Sequence, residues 1–103
     1  MEYRVVSNRI TAVENDQVLG EITFPVCGPE TVVIDHTWVD PSLRGQGVAG
    51  QLVKRAADAL RSTGRRARVT CSYARDWFAR HPEEADVLVD GWENDHAACR
   101  LGR

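Results

Sequence analysis

Residues 44–50 read Arg-Gly-Gln-Gly-Val-Ala-Gly, three glycines behind an arginine at the head of a segment that otherwise patterns as helix. Glycine inside a helix costs about 0.5–1 kcal/mol relative to alanine, so the cluster needs a reason. A loop that leaves a strand and enters a helix aims several backbone N–H groups at one point, and the helix N-terminus adds a partial positive charge that favours anions. Glycines let the main chain approach a diphosphate closely and take the turn geometry that gathers those N–H groups. Arg44 adds a permanent charge in front. The segment is not a P-loop, because no Gly-Lys-Ser/Thr follows. Gly45-x-Gly47-x-x-Gly50 has the spacing of the dinucleotide fingerprint, but what precedes it patterns as a meander, not as the first strand of a doubly wound sheet. The plain alternative is a glycine-rich connection into a helix.

Two further residues have reactive side chains in suggestive places. Cys71 falls at the carboxyl end of the short β pattern Arg66–Cys71. A thiolate is a strong nucleophile, and the start of a following helix together with Arg75 is the kind of surrounding that favours one. The competing reading is a small buried apolar side chain. His36 titrates in the range that suits a base for Cys71 or for an amine, although its apolar neighbours suit a core histidine equally well. No CxxC and no His/Cys cluster occurs, so neither a structural zinc site nor a disulfide framework is expected from Cys27, Cys71 and Cys99.

The elements that must carry these groups follow from periodicity. Val5, Ile10, Val13, Val18, Ile22 and Phe24 sit in short runs that predict an antiparallel meander, with Glu14–Gln17 as a hairpin turn and Val26–Glu30 as a second turn. Thr31–Asp40 predicts one β-branched strand, with Val32, Ile34, His36 and Trp38 on one face and Val33, Asp35, Thr37 and Val39 on the other. Val48, Leu52, Ala56 and Leu60 recur every four residues, which predicts a helix ending near Ser62–Thr63 with Gly64 as its stop. Ser72 is a plausible N-cap of a second helix that buries Trp77 and Phe78 and ends at Pro82. Strand, helix, strand in that order implies two parallel strands joined by a right-handed crossover.

At 103 residues the chain has the size of one domain, and its 43% apolar and 27% charged residues are those of a water-soluble globular fold. Residues 1–90 are expected to form that domain and 91–103 a polar tail. Without an apolar leader segment the protein is expected in the cytoplasm, as a monomer or weak homodimer with no membrane partner. Net charge is −2, distributed as −5 over residues 1–40, +7 over 41–80 and −4 over 81–103. The basic middle could draw a polyanion, but the overall balance and the lack of an aromatic stacking strip speak against nucleic acid as the partner.

Arg44–Ala49 resembles the Arg/Gln-x-x-Gly-x-Gly/Ala signature of GNAT-type N-acetyltransferases. Residues 35–60 followed by Val69–Glu83 are similar to a small single-domain branch of that family, the YjdJ-like proteins; His36-Thr37 with Cys71-Ser72-Tyr73 strengthens the likeness. The resemblance implies an α/β fold with a mixed, mostly antiparallel sheet and two main helices, with acetyl-CoA lying between two splayed parallel strands. It implies that Arg44, Gly45, Gln46, Gly47, Val48 and Ala49 hold the pyrophosphate by backbone amides, and that amides near Trp38 and Val39 pair with the pantetheine arm. It further implies acyl transfer to an unidentified amine, directly or through Cys71, with His36 as base, Tyr73 returning a proton to the departing CoA thiolate, and no metal. The chain is too short for the helices and strands that shape the amine pocket of larger members. A non-catalytic acyl-CoA-binding module or sensor is the rival expectation.

Overall fold

The computed structural model describes residues 1–43 and 45–92. The chain opens with a meander of β1 (Glu2–Val6), β2 (Arg9–Glu14) and β3 (Gln17–Thr23). Asn15 and Asp16 both take positive φ, 53° and 64°, in the turn between β2 and β3, as a two-residue hairpin requires. The second expected turn is instead a short strand, β4 (Val26–Gly28), which pairs antiparallel with β5 (Thr31–Ile34). After β5 come β6 (His36–Val39), a 3-10 turn at Pro41–Leu43 and the long helix α1 (Val48–Thr63). Then follow β7 (Arg66–Val69), helix α2 (Ser72–Arg80) and a 3-10 turn at Pro82–Val87.

The single strand expected over Thr31–Asp40 is broken at Asp35. β5 runs parallel to β7 in a three-stranded sheet of order β4-β5-β7, whereas β6 runs antiparallel to β3 in a four-stranded sheet of order β1-β2-β3-β6. Asp35 makes the transfer. Its N–H donates to the Thr23 carbonyl at 3.3 Å and its carboxylate accepts from Thr23 Oγ1 at 2.6 Å. The break also slips the side-chain phase. Val32 and Ile34 are buried, but His36 and Trp38, expected beside them, are exposed, while Thr37 and Val39 turn inward.

Helix α1 ends as its sequence requires. Gly64 takes φ 71°, its N–H donates to the Arg61 carbonyl, and the Arg65 N–H reaches back to Leu60 O at 3.0 Å. Its inner face, Val48, Leu52, Val53, Ala56, Ala57 and Leu60, packs with Ile10, Ala12 and Ile22 of the sheet and with Trp77 and Phe78 of α2. A Cβ on Gly20 would lie 3.3 Å from Leu52 Cδ1, so the helix rests directly on β3 there. Trp92 packs against Phe78. Cys27 is disulfide-bonded, against expectation. Among the described residues Cys71 is a free thiol, no helix is long and apolar enough to cross a membrane, and no group of three His, Cys, Asp or Glu could hold a metal ion.

Candidate active site

The break at Asp35 opens a V between two segments that would otherwise pair. The last ladder contacts are the N–H groups of Thr70 and Cys71, which both donate to the Ile34 carbonyl at 3.0 and 3.2 Å. Beyond that point β6 follows β3, and the chain after β7 turns into α2. Cys71 therefore sits at the apex of the V, half-buried, with extended backbone. It, not Ser72, occupies the N-cap position of α2; Ser72 is already the first helical residue, and the cap makes no side-chain hydrogen bond.

On the other arm of the V, β6 is an edge strand. In an antiparallel ladder alternate residues turn both backbone groups toward the partner. Asp40 N–H donates to Leu19 O, and Trp38 faces Glu21 across the same ladder, so Trp38 spends its backbone on β3. Thr37 and Val39 turn theirs to the open side. The free amides near the slot are thus those of Thr37 and Val39.

Between the V and the start of α1 lies a cavity of about 430 Å³, lined by Thr37, Val39, Leu43, Gly45, Gly47, Val48, Ala49 and Tyr73. Its size is within the usual range for a small-molecule site. At one end the glycine loop forms the wall. Asp40 starts it, accepting the Ser42 N–H at 2.9 Å on its side chain, and that bond holds its carboxyl below the usual carboxylate range. Gly45 and Gly47 take φ 83° and 76°, left-handed values costly to other residues, and a Cβ on either would meet nothing within 4 Å. Gly47 caps α1 without any side-chain bond, and its carbonyl accepts the first helical N–H, from Gln51. The N–H groups of Val48, Ala49 and Gly50 precede that bond and carry the partial positive charge of an uncapped helix start. Gln46 is exposed and its side-chain amide donates to Ser42 O at 3.4 Å. Arg44 lies outside the described residues.

Gly50 has a different role from its two neighbours. A Cβ there would come within 3.1 Å of Trp77 Nε1 and 3.7 Å of the Tyr73 hydroxyl, so this glycine lets α2 approach α1. Tyr73 is thereby brought over the first turn of α1 and into the cavity wall.

At the thiol end, Cys71 Sγ donates to Thr37 Oγ1 at 3.5 Å. His36 is not brought to Cys71. It lies on the outer face of the four-stranded sheet with Trp38, its side chain 53% exposed and its Nε2 3.9 Å from Glu21 Oε1. The phase slip at Asp35 is the reason. Thr37 and Leu43 also line the cavity, and the sequence signal for Thr37 is its place on the strand face opposite His36. Arg75 turns its guanidinium to Val69 O at 2.5 Å and Trp92 O at 3.0 Å, tying α2 to the strand end and to the last described turn.

Residues 9–87 match the GCN5-related N-acetyl-transferase family. A GCN5-like protein from Staphylococcus aureus, solved by NMR, superposes with a TM-score of 0.71 at 26% identity, covering 92% of this chain and 94% of its own. A GNAT family acetyltransferase from Brucella melitensis in complex with acetyl-CoA superposes with a TM-score of 0.56 at 27% identity, over 67% of this chain and 50% of that one. Protein NATD1 of Xenopus tropicalis is 31% identical over 61 residues, 59% of this chain and 56% of that relative, so the match spans little more than half of it. With the two sheets parting at Asp35 and the glycine-bounded cavity in place, the chain belongs to the GCN5-related N-acetyltransferase family.

Proposed function

We propose that this domain moves an acetyl group from acetyl-CoA to an amine by way of Cys71. The observation that carries the proposal is the continuous cavity that runs from the uncapped glycine start of α1 to Thr37 and Tyr73, beside the half-buried thiol at the apex of the V. The acetyl-CoA complex of the Brucella relative supports the ligand. In this reading the N–H groups of Val48 and Ala49 take the diphosphate, with Gly45, Gln46 and Gly47 shaping the cradle and Arg44 adding charge. The outward amides of Thr37 and Val39 pair with the pantetheine arm; Trp38 supports the strand from its outer face.

The chemistry then balances as two transfers. The Cys71 thiol gives up its proton to water, and the thiolate attacks the thioester carbon. The new C–S bond forms as the bond to CoA breaks, and the CoA thiolate takes a proton from Tyr73 or solvent. A neutral amine next attacks acetyl-Cys71. The N–C bond forms, the Cys71 sulfur leaves as thiolate, and the ammonium proton passes to water. His36, on the far face of the strand, has no part in this scheme.

Incubation with acetyl-CoA followed by intact-mass measurement tests it. Wild type is expected to gain one acetyl group (about 42 Da) on the peptide holding Cys71, as an activated thiolate would. Cys71→Ser is expected to gain none there and to lose at least about 100-fold in thiol release with an amine present. CoA binding without adduct or thiol release for any amine would leave a binding module instead. Turnover that survives Cys71→Ser would leave direct transfer.

A further inference from the structure

Thr37 stands where the two arms of the V face each other. Its backbone belongs to the open edge of β6 and its side chain to the cavity wall. Its hydroxyl bridges to a sulfur 34 residues further along the chain, at 3.5 Å. It is the hydrogen-bonding side chain that reaches this thiol among the described residues. The other polar groups nearby are directed elsewhere. From α2, Tyr73 faces the cavity and Arg75 addresses the carbonyls of Val69 and Trp92. From the strand side, Asp35 is held by Thr23, and His36 faces Glu21 on the outer surface.

A hydroxyl both donates and accepts, and its hydrogen rotates to suit. A thiol offers it a weak donor; a thiolate offers only an acceptor, and a hydrogen bond to a charged group is the stronger kind. We propose that Thr37 is the positioning residue for Cys71: its hydroxyl accepts the thiol hydrogen in the resting protein and, once that proton has gone to water, rotates to donate to the sulfur. The sulfur is thereby held against the cavity in the state that attacks. A valine of the same shape fills the same space and can do neither. The proposal rests on Cys71 as the acyl carrier, but its test does not need acetyl-CoA.

The test is the rate of iodoacetamide labelling of Cys71 in the full chain, located by peptide mass and followed across pH for wild type, Thr37→Val and Thr37→Ser. Thr37→Val is expected to label about 3- to 10-fold more slowly near neutral pH, the worth of one hydrogen bond to a charged group weakened by sulfur. The gap should narrow as pH rises and the thiol is fully ionised in both proteins. Thr37→Ser should return to within about twofold of wild type, because the donor is restored. Labelling of Thr37→Val at the wild-type rate, a gap that does not depend on pH, or a serine variant as slow as the valine would overturn the proposal. A missing acetyl adduct on wild-type Cys71, with the labelling gap present, would remove the acyl-cysteine mechanism and leave the Thr37 contact standing.

Discussion

The two ends of the cavity are built by different means. The glycine end is local. Residues 45–49 are contiguous, two of them are glycines at φ 83° and 76°, and the groups offered to a ligand are main-chain N–H. The thiol end is assembled from distant parts, with Thr37 on β6, Cys71 at the start of α2 and Tyr73 one turn over α1. A backbone cradle depends on conformation and tolerates many side chains; a hydroxyl–thiol contact depends on two side chains and on everything that aligns their strands. Substitutions should therefore act differently at the two ends: charge and backbone freedom decide one, packing and hydrogen bonding the other.

The largest effect is expected at the cradle. Gly47→Glu puts a carboxylate where the proposed reading places the diphosphate, and calorimetry with CoA should show affinity lowered at least about 100-fold, or about 2.7 kcal/mol. The left-handed φ adds about 1–2 kcal/mol of strain, which a domain of this size should survive. Gly47→Ala carries similar strain without the charge, so its affinity should fall much less. Equal losses for the two variants would mean that backbone geometry, not electrostatics, rules this end. Next in size is Gly50→Val. With a Cβ already 3.1 Å from Trp77 Nε1, a branched side chain must push α2 away. Overpacking of about 1–3 kcal/mol should lower the melting temperature by about 4–8 °C for each kcal/mol. CoA affinity of the folded protein should fall less than about tenfold, since the cradle N–H groups stay in place. A Gly50→Val protein that melts normally but fails to bind CoA would move this glycine back into the cradle.

That contrast also marks what could be read from the chain before its structure. Helix α1, its Gly64 stop, the Asn15-Asp16 hairpin and the parallel pairing of β5 with β7 follow from periodicity and turn chemistry over a few residues each. The glycine turn into α1 is legible for the same reason. What escaped is everything decided by a change of sheet. Alternation along Thr31–Asp40 assumes an unbroken strand, and the carboxylate of Asp35 on Thr23 breaks it, so His36 and Trp38 go outward and Thr37 inward. Gly50 escaped because its partner, Trp77, is 27 positions away and no local rule links them. Cys71, expected to end a strand over Arg66–Cys71, lies two residues past β7 at the N-cap of α2, and its side-chain partner is Thr37, not His36, one of the two roles open to that histidine.

The smallest effect is expected far from both ends, and it tests whether they are separable from the scaffold. Arg61, in the last turn of α1, donates to Asp86 at 2.6 Å and to Glu84 at 3.2 Å, joining the helix to the 3-10 turn after α2. The hydrogen bond from Arg61 holds the Asp86 carboxyl below its ordinary value, and the same bond raises Arg61 well above its own. A depressed carboxyl stabilises the fold above the unfolded-state value, near 3.8, and that contribution is lost as pH falls through the lower folded-state value. Both side chains are largely in water, so screening leaves little of it, about 1–3 °C in melting temperature. Arg61→Gln should thus melt slightly below wild type at neutral pH, and the difference should shrink as pH drops below the ordinary aspartate range. Raising salt should shrink it as well, because an exposed pair is screened. CoA affinity and the labelling rate of Cys71 should both stay within about twofold of wild type, as expected for sites without shared partners. A large loss of either would mean that the outer end of α1 sets the cradle or the thiol through the helix, and the division into a local end and an assembled end would fail.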